Sequence, residues 1–179
     1  MSDPLSETII SRVVTVLRGI NGAAYTATVR SVAISGTYTY DLSDNPTGRV
    51  IRGDMGDHTV DGAQVYLWVD FSQPPVERTL CDDTATLTLA LMAYEVTEAD
   101  TGDERQKAGL RLAHDIKTAI DIDYGDRPAV VGGLGTLNIY DINITAQEFQ
   151  GQANSVAYAD PGVVMQVVIQ YNLPGGVGL

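Results

Sequence analysis

Four groups of residues carry types and spacings that could do chemistry. The first is Gly132-Gly-Leu-Gly135. Clustered glycines let a backbone approach a phosphate, and a helix N-terminus behind them supplies the field that holds it. A dinucleotide loop needs a further glycine at position 138, which is Asn, and a helix where this chain continues as a strand. The cluster is therefore expected to be an entry turn to a hairpin. The second group is Asp121-Ile-Asp-Tyr-Gly-Asp126, whose alternating carboxylates could ligate calcium. Its glycine falls one position early, and Gly132 stands where the chelating glutamate belongs, so it reads as an acidic helix end. The third is His58 and His114, which are far apart and lack an H-x-x-x-H partner. His114, beside Asp115, is expected on the solvent side of a helix. The fourth is Cys81, flanked by Asp82 and Asp83. Neighbouring negative charge raises a thiol's pKa, which disfavours a nucleophile.

Two short matches carry little weight. Arg52-Gly-Asp54 has the form of an adhesion tripeptide within a glycine-rich loop, and Asn143-Ile-Thr145 has the form of a glycosylation sequon. Neither a Walker A sequence nor a G-x-S-x-G elbow is present. Because these groups assemble no active site, no catalytic, cofactor-binding or metal-binding residue is assigned, and a role other than enzyme is expected.

The elements that must position these residues follow from length, charge and periodicity. A chain of 179 residues with 44% hydrophobic content is the size of one folded domain. Eleven Lys+Arg against 23 Asp+Glu leave a net charge of −12, which argues against a nucleic-acid clamp and against docking on anionic lipid. One cysteine precludes an internal disulfide framework. The opening twenty residues lack the basic start and unbroken apolar run of a secretory signal, and no stretch reaches the ~20 apolar residues of a membrane span. A soluble protein made in a cytoplasm, with no membrane partner, is expected.

Asp3 and Pro4 suit a helix start, and Ile9, Val13, Val16, Leu17 and Ile20 repeat at helical spacing, with Ile10 and Val14 widening the stripe. A stripe this wide is expected to make two contacts, one on a sheet and one on something else: either all of it is buried in the chain's own core, or part of it meets a neighbouring subunit. Tyr25 to Ser35 reads as one strand and Thr37 to Tyr40 as another. Residues 41–62 are rich in turn formers and read as a long extended loop, hairpin or arm, a length that usually signals binding. Ala63 to Phe71 alternates as a strand. Thr84 to Val96 is a longer one, whose reach of ~43 Å suggests pairing beyond its own domain. Thr101-Gly-Asp-Glu104 matches a capping box opening a second helix striped by Ala108, Leu112, Ile116, Ala119 and Ile120. Strands over Leu137 to Thr145 and Val163 to Leu173 close the order, followed by a Pro-Gly tail. The expected fold is one α+β domain over 1–179, a mainly antiparallel or mixed sheet with two helices packed on it, with 41–62 extending from it.

Residues Leu112-Ala-His-Asp-Ile-Lys-Thr-Ala-Ile120, a polar turn, Leu134-Gly-Thr-Leu-Asn-Ile-Tyr140, and Val163-Val-Met-Gln-Val-Val-Ile-Gln-Tyr171 resemble the C-terminal half of the tail terminator and minor tail proteins of long-tailed bacteriophages. In that family a helix with an A-D-I-K-x-A type motif precedes two strands, the last ending at a tyrosine. Here Ala113, Asp115-Ile-Lys117 and Ala119 correspond, with His114 inserted. The opening helix, Ile9 to Ile20, also fits the family's start, whereas 41–83 has no counterpart. The resemblance implies a homo-hexameric ring on the head-proximal end of the tail, with the tail tube protein and a head connector or neck protein as partners. DNA would pass through without specific binding. It also implies no cofactor and no catalysis, a place in the virion, and assembly in the host bacterial cytoplasm. A neck or head-completion ring is the near alternative. A small-ligand-binding or enzymatic domain using the 121–135 loop with His114 and Asp123 is the distant one, and a surface adhesion module a third.

Overall fold

The computed structural model describes residues 5–43, 50–53, 63–69, 84–95, 102–125, 132–149 and 162–172. Their order is α1 (Leu5–Arg18), β1 (Ala24–Val29), β2 (Val32–Thr37), β3 (Val50–Arg52), β4 (Ala63–Val69), β5 (Thr84–Glu95), α2 (Gly102–Gly125), a 3-10 turn at Leu134–Thr136, β6 (Ile139–Phe149) and β7 (Gly162–Asn172). Strands β3-β4-β5-β7-β6 form one sheet, while β1 and β2 form a separate ribbon. All pairings are antiparallel except β3 with β4. This is the expected α+β arrangement with a mixed sheet.

Alternation along the strands decides which face is dry. Leu87, Leu89 and Leu91 of β5 are buried together with Val65 and Leu67 of β4 and Val163, Met165, Val167 and Ile169 of β7. They share one cluster with Ile9, Val13 and Leu17 of α1 and Leu112, Ile116 and Ile120 of α2, so both helices lie on that face. Each such side chain contributes about 1.5–3 kcal/mol by leaving water. The reverse face carries Tyr66, Trp68, Thr86, Thr88, Ala90, Val164, Gln166 and Val168. There Tyr66 is also buried, and its hydroxyl donates to Gln64 Oε1 at 3.1 Å.

The wide stripe of α1 is used inside the chain. Ile9, Ile10, Val13, Val16, Leu17 and Ile20 are all buried, against α2, β3 and the 3-10 turn. The helix stops where expected: Gly19 N–H reaches back to Thr15 and Val16 carbonyls, and Gly22 turns the chain at φ +69°.

Three expectations change. The segment Tyr25 to Ser35 is two strands, not one, because Arg30 and Ser31 both take positive φ (49° and 68°) and form a two-residue hairpin turn. Neither residue is the Gly or Asn that usually marks such a turn, so the signal was hidden. Thr39 and Tyr40 do not continue a strand, since their amides are bound by a side chain of α2. The length of β5 is absorbed at home: Thr84 to Tyr94 pairs with β7, and Leu89 to Glu95 with β4. Within 41–62, Leu42 is buried in the core and Val50–Arg52 is a strand beside β4, while 44–49 and 54–62 lie outside the described residues.

Candidate interaction surface

Two buried carboxylates of α2 hold the other elements in place. Asp115, 1% exposed in mid-helix, accepts the N–H of Thr39 at 2.6 Å and of Tyr40 at 3.0 Å. Tyr40 in turn donates its hydroxyl to the Ala108 carbonyl at 3.1 Å, so the strap leaving β2 is fastened to α2 twice. Burial pushes the Asp115 carboxyl above its ordinary range, while the two amides and His114 pull against that.

Asp123, two turns further on, accepts Arg12 Nε at 3.0 Å, a second contact from the same guanidinium, and the Leu134 N–H at 2.7 Å. One carboxylate thereby joins α1, α2 and the 3-10 turn. The paired carboxylate raises the Arg12 guanidinium further above its ordinary value. Near the start of α1, Arg52 of β3 grips Glu7 through both terminal guanidinium nitrogens, and this hydrogen bonding lowers the Glu7 carboxyl.

Ribbon β1–β2 docks edge-on against the C-terminal end of α2. The approach is close: a Cβ placed on Gly125 would lie 2.8 Å from Val29 Cγ1. Tyr25 and Tyr38 stack across the ribbon with ring centroids 4.8 Å apart. Beyond that contact the ribbon stands in solvent, with Val32 at its tip 61% exposed. Between the tip and the start of β6 opens a cleft of about 460 Å³ lined by Arg30, Tyr124, Gly125, Tyr140 and Asp141.

The start of β6 lines this cleft, and the ribbon reaches it through Arg30 in the turn before β2. Strand β6 is outermost in the five-stranded sheet, with ten of its eleven residues paired to β7 and, among the described residues, no strand on its other side. Strand β2 is paired only to β1 among the described residues. Ala23 and Tyr38 are hydrogen bonded across the ribbon, and the pairing alternates from there, so Ala33, Ser35 and Thr37 turn their amides and carbonyls outward.

The residues singled out from sequence do not converge. His114 is exposed, and nine residues along α2, about 13 Å of helix rise, separate it from Asp123, which is already committed to Arg12 and Leu134. The Gly132–Gly135 segment feeds the 3-10 turn as expected of an entry turn, with Gly132 at φ +72°, and Asp123 takes the Leu134 amide. Arg52 of the Arg-Gly-Asp match is held by Glu7. His58, Cys81, Asp54 and Asp126 lie outside the described residues. Among the described residues no group of three or more His, Cys, Asp or Glu side chains could hold a metal ion, and no helix is long and apolar enough to cross a membrane. The clamps at Asp115 and Asp123 were missed, although a signal existed. Both carboxylates fall within the apolar stripe of Leu112, Ile116, Ala119 and Ile120, where a charge must find partners.

No known protein family's sequence pattern matches the chain, and no curated protein matches it.

Proposed function

We propose that this chain is a structural phage tail terminator, a self-assembling ring that caps the head-proximal end of the tail tube, stops tube polymerisation and forms the surface to which the head connector joins. The observation that carries this reading is the presence, on one molecule, of two different strand edges left unpaired among the described residues, the outer edge of β2 and that of β6. Two different edges on one chain suit head-to-tail contacts, which give a ring when the rotation between copies closes. The resemblance of Leu112–Ile120 and Val163–Tyr171 to the terminator family points the same way. A net charge of −12 suits a ring through which DNA slides, because repulsion keeps the duplex from sticking. Such a protein belongs to the virion, and it is assembled in the host bacterial cytoplasm without cofactor, catalysis or membrane contact.

The test is electron microscopy of the purified chain, alone and mixed with purified tail tubes. Hexameric rings, free or seated on one tube end, are expected. A particle that stays monomeric and leaves both tube ends bare overturns the reading.

A further inference from the structure

The distribution of charge within the chain singles out the ribbon. Residues 8–40 contain none of the 23 acids and carry Arg12, Arg18 and Arg30. Arg12 is spent on Asp123 inside the molecule, whereas Arg30 sits exposed at the hairpin turn. On a chain this acidic most copy-to-copy contacts are repulsive, and an acid-free ribbon is the surface that an acidic copy can approach.

The edge chemistry agrees. Natural sheets blunt their edges with lysines, prolines or inward charges. Strand β2, Val-Ala-Ile-Ser-Gly-Thr, has none of these, and its six residues offer about 20 Å of ladder that is unpaired among the described residues. The acceptor must be an unpaired edge with acidic character. Among the described residues strand β6 provides one, with Asp141 exposed near its start and Tyr140 beside it, 48% exposed.

We propose that β2 of one copy adds to the outer edge of β6 of the next copy, in the direction that brings Arg30 to Asp141. The occupant of the β6 edge is thus a second copy of this chain, held by main-chain hydrogen bonds and oriented by one charge pair. The two edges are different surfaces, so the contact is heterologous and each added copy leaves one edge of each kind free until the ring closes. This inference rests on the ring reading and deepens it by naming the contact.

The experiment is the mass of the full-length chain in solution, by light scattering on a sizing column, with tail tubes added in a parallel series. Three variants are compared, each checked for native circular dichroism. Ser35→Pro removes one outward amide and leaves the hydrogen bonds to β1 in place. Arg30→Asp reverses the charge with a residue that tolerates positive φ. Arg30→Asp combined with Asp141→Arg restores the pair in swapped form. Each single variant is expected to weaken self-association at least tenfold, and the swapped variant to recover it. Oligomers that persist unchanged in Ser35→Pro and Arg30→Asp, or a swapped variant that stays dissociated, overturn the proposal while leaving the ring reading intact. A chain that remains monomeric with and without tubes overturns the ring reading itself. Self-association untouched by the variants, with tube binding lost, overturns the proposal in favour of the tube protein as occupant.

Discussion

Replacing Asp123 with alanine tests whether one carboxylate joins three elements. The substitution removes both guanidinium contacts of Arg12 and the acceptor of the Leu134 N–H. Breaking a buried pair from one side costs about 3–5 kcal/mol, because the remaining charge stays desolvated. The Arg12 side chain keeps 26% of its surface in water, so part of its loss is recovered by solvent, and the Leu134 amide is left without that acceptor. Together these place the expected cost near 3 kcal/mol. For a domain of this size that corresponds to a fall in Tm of roughly 6–12 °C. Urea unfolding followed by circular dichroism measures the cost, and a double-mutant cycle with Arg12→Ala isolates the pair. Arg12→Ala is expected to cost less, since Asp123 keeps the Leu134 amide, and the coupling energy should exceed about 1 kcal/mol. A loss below about 1 kcal/mol for Asp123→Ala, or strictly additive single variants, would refute the clamp.

Two further perturbations follow from the same geometry. The folded pKa of Asp115 is raised above its ordinary 3.8, so the folded state holds that proton more tightly than the unfolded chain; its contribution to stability is greatest below the unfolded pKa and is lost as pH rises through the folded value. Asp115→Asn should flatten that part of the urea-midpoint profile above pH 4, whereas Asp115→Ala should flatten it too and in addition cost about 2–3 kcal/mol by stranding two amides, one of them buried; an unchanged profile in the Asn variant would count against the buried carboxylate as its source. Gly125→Ala places a methyl against the stiff Val29 side chain, and a loss of about 1–3 kcal/mol with faster hydrogen exchange in 24–37 is expected; exchange rates equal to wild type would mean that the ribbon does not rest on the end of α2.

The elements most legible in the sequence were those with a strong period. The α1 stripe from Ile9 to Ile20 and the Leu-Thr alternation of β5 each predict one face, and those faces are buried. The hairpin at Arg30 and Ser31 was not legible, because left-handed conformations at arginine and serine have no propensity signature; the tight register of the ribbon imposes them. Strand β3 was hidden for a different reason. Three residues are too few for periodicity to declare, and Val50–Arg52 becomes a strand only because β4 offers a parallel edge and Arg52 can reach Glu7.

Local sequence alone determined where water is excluded, since burying alternate leucines and helical stripes is a property of each segment taken separately. It also determined the overall acidity and the acid-free run through 8–40. The tertiary structure decided which charges are spent inside the chain and which stay exposed. Asp115 and Asp123 fall in the apolar stripe of α2, so the sequence marks them as acids in need of partners, but only the packing of α2 names those partners by bringing amides and Arg12 against them. Arg30 and Asp141, 111 positions apart, come to line one cleft only because the ribbon lies against the end of α2. Coulomb energy depends on distance and on local dielectric, and only the folded arrangement of the chain sets both.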